Sequence, residues 1–316
     1  MKQYSTNSPI LFIIFNRPDT TKKVFDEIRK VKPKRLFIAG DGPRKDNQND
    51  LLKCEETRKI INQIDWDCEV KTFFRENNLG CKEAVSSAID WFFQNVNQGV
   101  ILEDDCLPAS DFFRFCDLML DRYANDSRIS HITGCNLQDG IKRGESSYFF
   151  SNLSHIWGWG TWRRVWENYD KNLTNFELED ANSAFSNIFD NEIILKVWLD
   201  KFDEMKKRKI DTWDYQFSFL NFFNNQLSIV PNVNLISNIG FNENATHTFN
   251  NSDLYANIPL QHLEFEILHP KFILPNKLAD QKKIFYEFQV DKQLRKIKKN
   301  KQIHRKIKNY FKKLFK

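Results

Sequence analysis

Glu103, Asp104 and Asp105 follow the apolar run Val100-Ile101-Leu102 without a break. An apolar stretch ending in acids reads as a buried strand that delivers carboxylates to its C-terminal end, the edge at which open α/β sheets bind ligands. Three adjacent carboxylates repel one another and are costly to hold at a partly buried strand end without a cation. An oxygen-only donor set of this kind suits Mg²⁺ or Mn²⁺, which keep several waters and share one or two protein carboxylates with a substrate diphosphate. A solvated acidic turn is the bland reading of any isolated Glu-Asp-Asp. The place of these three after the fourth strand of a regular βα alternation favours the metal-diphosphate role.

Three further groups carry chemistry. Ile156 to Val165 and Trp166 hold four tryptophans, and Trp157 and Trp159 flank Gly158. Indole faces stack on the apolar faces of sugars and glycine lets a ligand approach the backbone, so Trp157 and Trp159 are the acceptor-site candidates. Trp162 and Trp166, four apart, fit the core side of a helix. Asp211-Thr212-Trp213-Asp214 opens an apolar helical stretch, where a carboxylate is stabilised by the helix dipole and stays ionised. Either acid can be a cap or a proton acceptor. Asn238-Ile239-Gly240-Phe241 and Ala245-Thr246-His247-Thr248 form a polar segment able to close over a diphosphate. His247 there is a phosphate donor or an extra metal ligand, against the ordinary alternative of a surface histidine.

The elements that must position these residues follow one rhythm. Strands are expected at Pro9 to Phe15, Arg35 to Ala39, Cys68 to Phe74 and Gly99 to Leu102. Helical segments separate them, the first with Val24, Phe25, Ile28 and Val31 on one face, and another runs from Ser110 or Asp111 to about Tyr123. That alternation predicts an α/β fold with a mainly parallel sheet flanked by helices. No GxGxxG follows the first strand and no GxxxxGK[ST] occurs, so phosphates are not expected on a glycine-rich loop.

The chain has 316 residues, enough for one large domain or two smaller ones. Its six cysteines form no CxxC pair and no finger-like spacing with histidine, which argues for reduced thiols and against zinc. No apolar stretch is long enough for a signal peptide or a membrane span. Residues 292–316 carry twelve Lys/Arg and no acid, so the net +5 of the whole becomes −7 without them. Leu294, Ile297, Ile303, Ile307, Phe311 and Leu314 recur at helical steps, which predicts an amphipathic basic helix on an anionic membrane surface. A solubilising or polyanion-binding tail is the alternative, and no nucleic acid is expected as a partner.

As a set, Ile14-Phe15-Asn16-Arg17-Pro18, Asp41, Asn78-Leu79-Gly80, Leu102-Glu103-Asp104-Asp105 with Asp111-Phe112-Phe113, and Trp213-Asp214 resemble the GT-A class of nucleotide-sugar glycosyltransferases. The chain is similar to bacterial transferases sometimes labelled hemolysin-like. More distantly it resembles the N-acetylglucosaminyltransferase that begins complex N-glycan branching. The resemblance covers roughly residues 8 to 250. It implies that Phe15, Asn16 and Arg17 line the nucleotide and its phosphates and that Asp41 accepts from the base or ribose. Asp105 would ligate the metal, with Glu103 and Asp104 bonding ribose or orienting the site. Lys82 would touch the donor, and Asp214 would be the general base, with Asp211 as fallback.

The resulting expectation is a metal-dependent, inverting hexosyl- or N-acetylhexosaminyltransferase. It would move a sugar from a nucleoside-diphosphate sugar, UDP-sugar favoured, to a bacterial surface-glycan or lipid-linked acceptor. Residues 8–140 would form the donor-binding part, 141–285 the acceptor-binding and catalytic part, and 286–316 the tail. The expected location is cytoplasmic, peripheral on the inner face of the membrane. The alternatives are a sugar-phosphate nucleotidyltransferase, which normally carries a glycine-rich loop after its first strand, and a non-catalytic membrane- or glycan-binding protein.

Overall fold

Ile10–Ile14 (β1) is apolar throughout, as a strand covered on both faces must be, and four of its five residues are buried. In the computed structural model, which describes residues 4–208, 210–241, 257–264 and 266–287, β1 sits inside an eight-stranded sheet. It is followed by α1 (Pro18–Val31), β2 (Arg35–Gly40), α2 (Gln48–Arg58), β3 (Glu69–Phe74), α3 (Cys81–Asn95), β4 (Gln98–Glu103), β5 (Cys106–Pro108) and α4 (Ser110–Arg122). The second half adds β6 (Ile129–Thr133), β7 (Tyr148–Ser151), β8 (Trp159–Trp162), α5 (Arg163–Trp166), α6 (Leu178–Ser186), α7 (Glu192–Lys206) and α8 (Asp214–Phe223). It ends with β9 (Leu227–Pro231), β10 (Ile236–Asn238) and α9 (Lys277–Glu287).

Local chemistry sets the boundaries. Pro18 begins α1, where its fixed φ fits and its missing N–H costs nothing. Lys32 ends that helix in the left-handed region (φ 43°), with its N–H on the Ile28 carbonyl. The buried side of α1 is Val24, Phe25, Ile28 and Val31, the face expected from the sequence.

The sheet order is β3-β2-β1-β4-β8-β6-β9-β7. β1 pairs in parallel with both β2 and β4, and β2 with β3, so the chain reverses its direction of winding between β1 and β4. That reversal opens a crevice at the carboxyl ends of these two strands. The mixed sheet, mainly parallel and flanked by helices, is the expected α/β class. Two strands depart from the expected pattern, β7, antiparallel to β9 at the edge, and β8. β8 inserts between β4 and β6, antiparallel to both, with Ile101 opposite Trp159 and Gln98 opposite Trp162.

The sheet and the main core run across residue 140 without a break, because β7, β8 and β9 complete the sheet that β1 to β4 begin. A second core gathers Phe185, Trp198, Phe202, Phe219 and Phe222 from α6, α7 and α8. α7 is capped by Asn191, whose side chain accepts from the Ile193 and Ile194 amides. Among the described residues, no helix is long and apolar enough to cross a membrane.

Candidate active site

The crevice between β1 and β4 is a cavity of about 470 Å³. Its wall includes Phe15 and Arg17 after β1, Asp41 after β2, Asn78 and Gly80 after β3, and Glu103, Asp104 and Asp105 at the end of β4. The second half of the chain contributes Trp157, Asp211 to Asp214, and Asn238. Residues nearly 200 positions apart therefore meet at the edge where the sequence predicted a ligand.

The acids are held by the loop after β1. Asp104 accepts the Phe15 amide at 3.0 Å and lies 3.4 Å from the Arg17 guanidinium, which donates to Asp105 at 2.6 Å. Burial pushes the Glu103 carboxyl above the ordinary range, and the charges of Asp105 and Asp104 push it further. Burial also raises Asp104, with Arg17 pulling it down and Asp105 up. The Arg17 charge is thus shared among three carboxylates, and the site stays electrostatically hungry for a cation.

The end of β4 offers oxygen donors only, the kind that Mg²⁺ and Mn²⁺ take. Among the described residues, no three His, Cys, Asp or Glu side chains converge into a metal cage. What the strand end offers is three carboxylates in the cavity wall, Glu103, Asp104 and Asp105. That fits a hard cation that takes one or two ligands from protein and the rest from phosphate and water. His247 lies outside the described residues.

Asp41 is heavily engaged. Its oxygens accept the amides of Gly42 (2.8 Å), Leu79 (3.0 Å) and Gly80 (3.2 Å) and the Asn78 side chain (2.9 Å). Burial raises its pKa while these N–H groups oppose the rise. Asp41 faces the cavity, and it also fixes the turn between β3 and α3. Gly42 has to be glycine there, since a Cβ would lie 2.3 Å from the Asn77 backbone.

Asp211 and Asp214 have different surroundings. Asp211 accepts the amides of Cys81 and Lys82, both at 3.0 Å, and so caps the start of α3 from 130 residues away. Gly80 permits this approach, because a Cβ on it would meet the Asp211 carboxylate at 2.6 Å. Asp214 is the first residue of α8, takes the Thr212 hydroxyl as a donor, and lies close enough to Glu103 for its charge to raise that carboxyl.

Two expectations are corrected. Trp159 is fully buried on β8, stacked on Trp213 (5.7 Å, 22°) and packed on Phe217, so it is a core residue and not an acceptor contact. β8 lies between β4 and β6 and is buried along its whole length. Trp157 is half-buried, packs edge-on against Phe241 and lines the cavity. Lys82 is also displaced from the expected role: it is buried in the first turn of α3, and its ammonium bonds Asn172 at 3.2 Å, away from the cavity wall. Asn16 acts at one remove, donating to Asp50 at 2.7 Å.

That bond exposes residues the sequence reading missed. Asp50 is almost fully buried and accepts Arg44 through Nε (2.5 Å) and Nη2 (3.0 Å), which holds its carboxyl below the ordinary range. Arg44 is thereby fixed in the cavity wall, 5.5 Å from the centre of the Phe15 ring. Arg75 stacks on Phe73 at 4.4 Å in the same wall. The available signal for Arg44 was its place in the turn that follows Asp41. Gly240 also matters: the Ile239 amide bonds the Asp105 carbonyl, and a Cβ on Gly240 would fall 2.2 Å from the Asp105 carboxylate.

No family model matches the sequence, and no curated protein does. Solved structures give faint likenesses. UDP-glucose pyrophosphorylase with UDP-glucose is 11% identical over 71% of this chain and 90% of that one, with a TM-score of 0.36. The galactosyltransferase LgtC with donor and acceptor sugar analogues is 10% identical over 68% and 69%, at 0.33. A cytidylyltransferase from Leptospira borgpetersenii is 15% identical over 52% of this chain and 64% of its own, at 0.31. The chain thus spans less than two thirds of that last protein. Likenesses at this level assign no activity.

Proposed function

We propose that the protein is a nucleoside-diphosphate-sugar glycosyltransferase of the GT-A kind, working with Mg²⁺ or Mn²⁺ and inverting the anomeric centre. The observation that carries this reading is the meeting of Arg17 and the Glu103-Asp104-Asp105 acids with Asp214 in one cavity at the β1/β4 reversal. The two ends of a displacement reaction need these two kinds of group.

The acceptor hydroxyl attacks the anomeric carbon as Asp214 takes its proton, and the bond from that carbon to the diphosphate oxygen breaks with its electron pair. A bound divalent cation would supply charge stabilisation for the departing diphosphate, held on the protein side by Asp105. Arg17 adds a fixed positive charge beside those phosphates, and Arg44 adds another in the wall. Phe15 and Trp157 give apolar surface for the base and for a sugar face. One carboxylate base acting on the acceptor implies one displacement, hence inversion.

A UDP-sugar is the favoured donor and a bacterial surface-glycan or lipid-linked acceptor the favoured partner, with residues 286–316 drawing the enzyme to the anionic cytoplasmic face of the membrane. The test is release of nucleoside diphosphate from a panel of nucleotide sugars, with Mn²⁺ present or chelated, and the anomeric configuration of the product by NMR. Metal-stimulated release with inversion supports the proposal. Release of pyrophosphate from a nucleoside triphosphate and a sugar phosphate would instead establish nucleotidyl transfer.

A further inference from the structure

Three of the four most exposed large apolar side chains among the described residues lie within seven positions: Phe272 (66%), Leu274 (68%) and Leu278 (67%). Leu268 (55%) lies just before them. The segment that bears them is a strap along β7, the edge strand of the sheet, leading into α9.

The strap is firmly fixed on its inner side. The Leu268 amide bonds the Ser147 hydroxyl, the Asn276 amide bonds the Phe150 carbonyl at 2.7 Å, and the Tyr148 hydroxyl meets His269 at 3.0 Å. Asp280 of α9 is buried and accepts the Ser151 hydroxyl together with the backbone and side-chain N–H groups of Asn152. The exposed apolar groups are therefore held outward by a braced backbone. A water-facing cluster of this kind costs solubility and marks a contact surface.

We infer that this strap is a membrane-docking surface whose partner is an anionic lipid bilayer. Charge selects that occupant. Lys271 lies 5.4 Å from the Phe272 ring centre, while Lys277 pairs with Asp190 at 3.3 Å and Lys282 with Asp139, and α9 ends at Glu287, five residues before the segment with twelve Lys/Arg and no acid, so the net positive charge comes from Lys271 and that segment. Phe272, Leu274 and Leu278 enter the boundary between headgroups and acyl chains while the basic residues stay at the headgroups. This inference rests on the membrane reading of residues 286–316 and goes beyond it. It gives the folded body its own contact and thus a fixed orientation, where a tail alone would act as a loose tether.

The test is co-sedimentation of the full-length chain with phosphatidylcholine vesicles containing one third phosphatidylserine, at 0.1 M and 0.5 M salt. It compares wild type with Phe272→Ser/Leu274→Ser/Leu278→Ser. The three side chains are exposed, so the variant should keep the wild-type melting temperature. Wild type should retain a salt-resistant bound fraction. The variant should bind at least tenfold more weakly at 0.1 M salt and keep a clearly smaller salt-resistant fraction than wild type at 0.5 M, since the tail's charge is then screened and the strap's apolar contact is gone. Equal binding by both chains would overturn the docking surface while leaving the tail reading intact. No binding by wild type would overturn both. A wild-type dimer that the substitutions convert to monomer, with vesicle binding unchanged, would assign the strap to a second copy of the chain and overturn the lipid proposal.

Discussion

Arg17 donates to Asp105 at 2.6 Å, which joins the loop after β1 to the acidic end of β4 across the mouth of the crevice. The pair is mostly buried, so the guanidinium is both a tether for the acids and a ready phosphate ligand. Arg17→Ala is expected to weaken nucleoside-diphosphate binding at least tenfold by calorimetry. Arg17→Lys, which keeps the charge and loses the fork, should recover only part of it. Wild-type affinity in both variants would remove Arg17 from the donor site.

In the proposed site Asp105 is the residue that would hold the metal. Thermal shift with UDP should be larger with Mn²⁺ than without it, and a ligand at 100 times its dissociation constant stabilises by about 2.7 kcal/mol. Asp105→Asn keeps the shape and removes the charge, so the metal-dependent part of the shift should vanish. A shift that persists in the variant would move the cation elsewhere.

Asp214 and Asp211 are expected to fail in different ways. Asp214→Asn should lower turnover by about 10² to 10⁴ with donor affinity kept, the usual cost of losing a general base. Asp211→Ala removes the acceptor for two amides at the start of α3 and should cost about 1 to 2 kcal/mol of stability in urea unfolding. If Asp214→Asn also destroys donor binding, its role is structural.

A pH effect separate from the site comes from His131. Its ring is fully buried against Trp159 and Phe217, with Nδ1 on the Ser228 hydroxyl, and burial pushes its pKa down to about 3. The folded value lies below the unfolded value of about 6.5, so the unfolded chain takes the proton first. The stabilising contribution is complete above pH 6.5 and is lost as pH falls towards 3, at about 1.4 kcal/mol per pH unit. Urea melts of wild type and His131→Gln at pH 7, 6, 5 and 4 should show a shallower fall in the variant. Parallel curves would assign acid sensitivity to other groups.

The donor half was legible because its signals are local. β1, β2 and β4 are short apolar runs and β3 alternates, each with its own stop, and the acids of β4 are contiguous in sequence. The rest depends on partners that sequence spacing does not announce. Trp159 looks like a sugar platform until β8 is known to insert beside β4, a pairing across some 60 residues. Lys82 looks like a donor ligand until Asn172 takes its ammonium. Arg44 gains its place only through Asp50, a carboxylate whose burial no periodicity predicts. Asp211 stood in the sequence only as the fallback to Asp214, and the helix it caps, α3, lies 130 residues away, where no local spacing reveals it.

The turn from Asn78 to Lys82 is gripped twice, by Asp41 at its first three residues and by Asp211 at the next amides. Asp211 belongs to the same short segment as Asp214. A donor that shifts this turn therefore pulls on the segment that carries the proposed base, and an acceptor that shifts Asp214 pulls back on the donor wall. In the proposed reaction donor and acceptor would meet across this linkage, so each should change the other's affinity, by the same factor from either side.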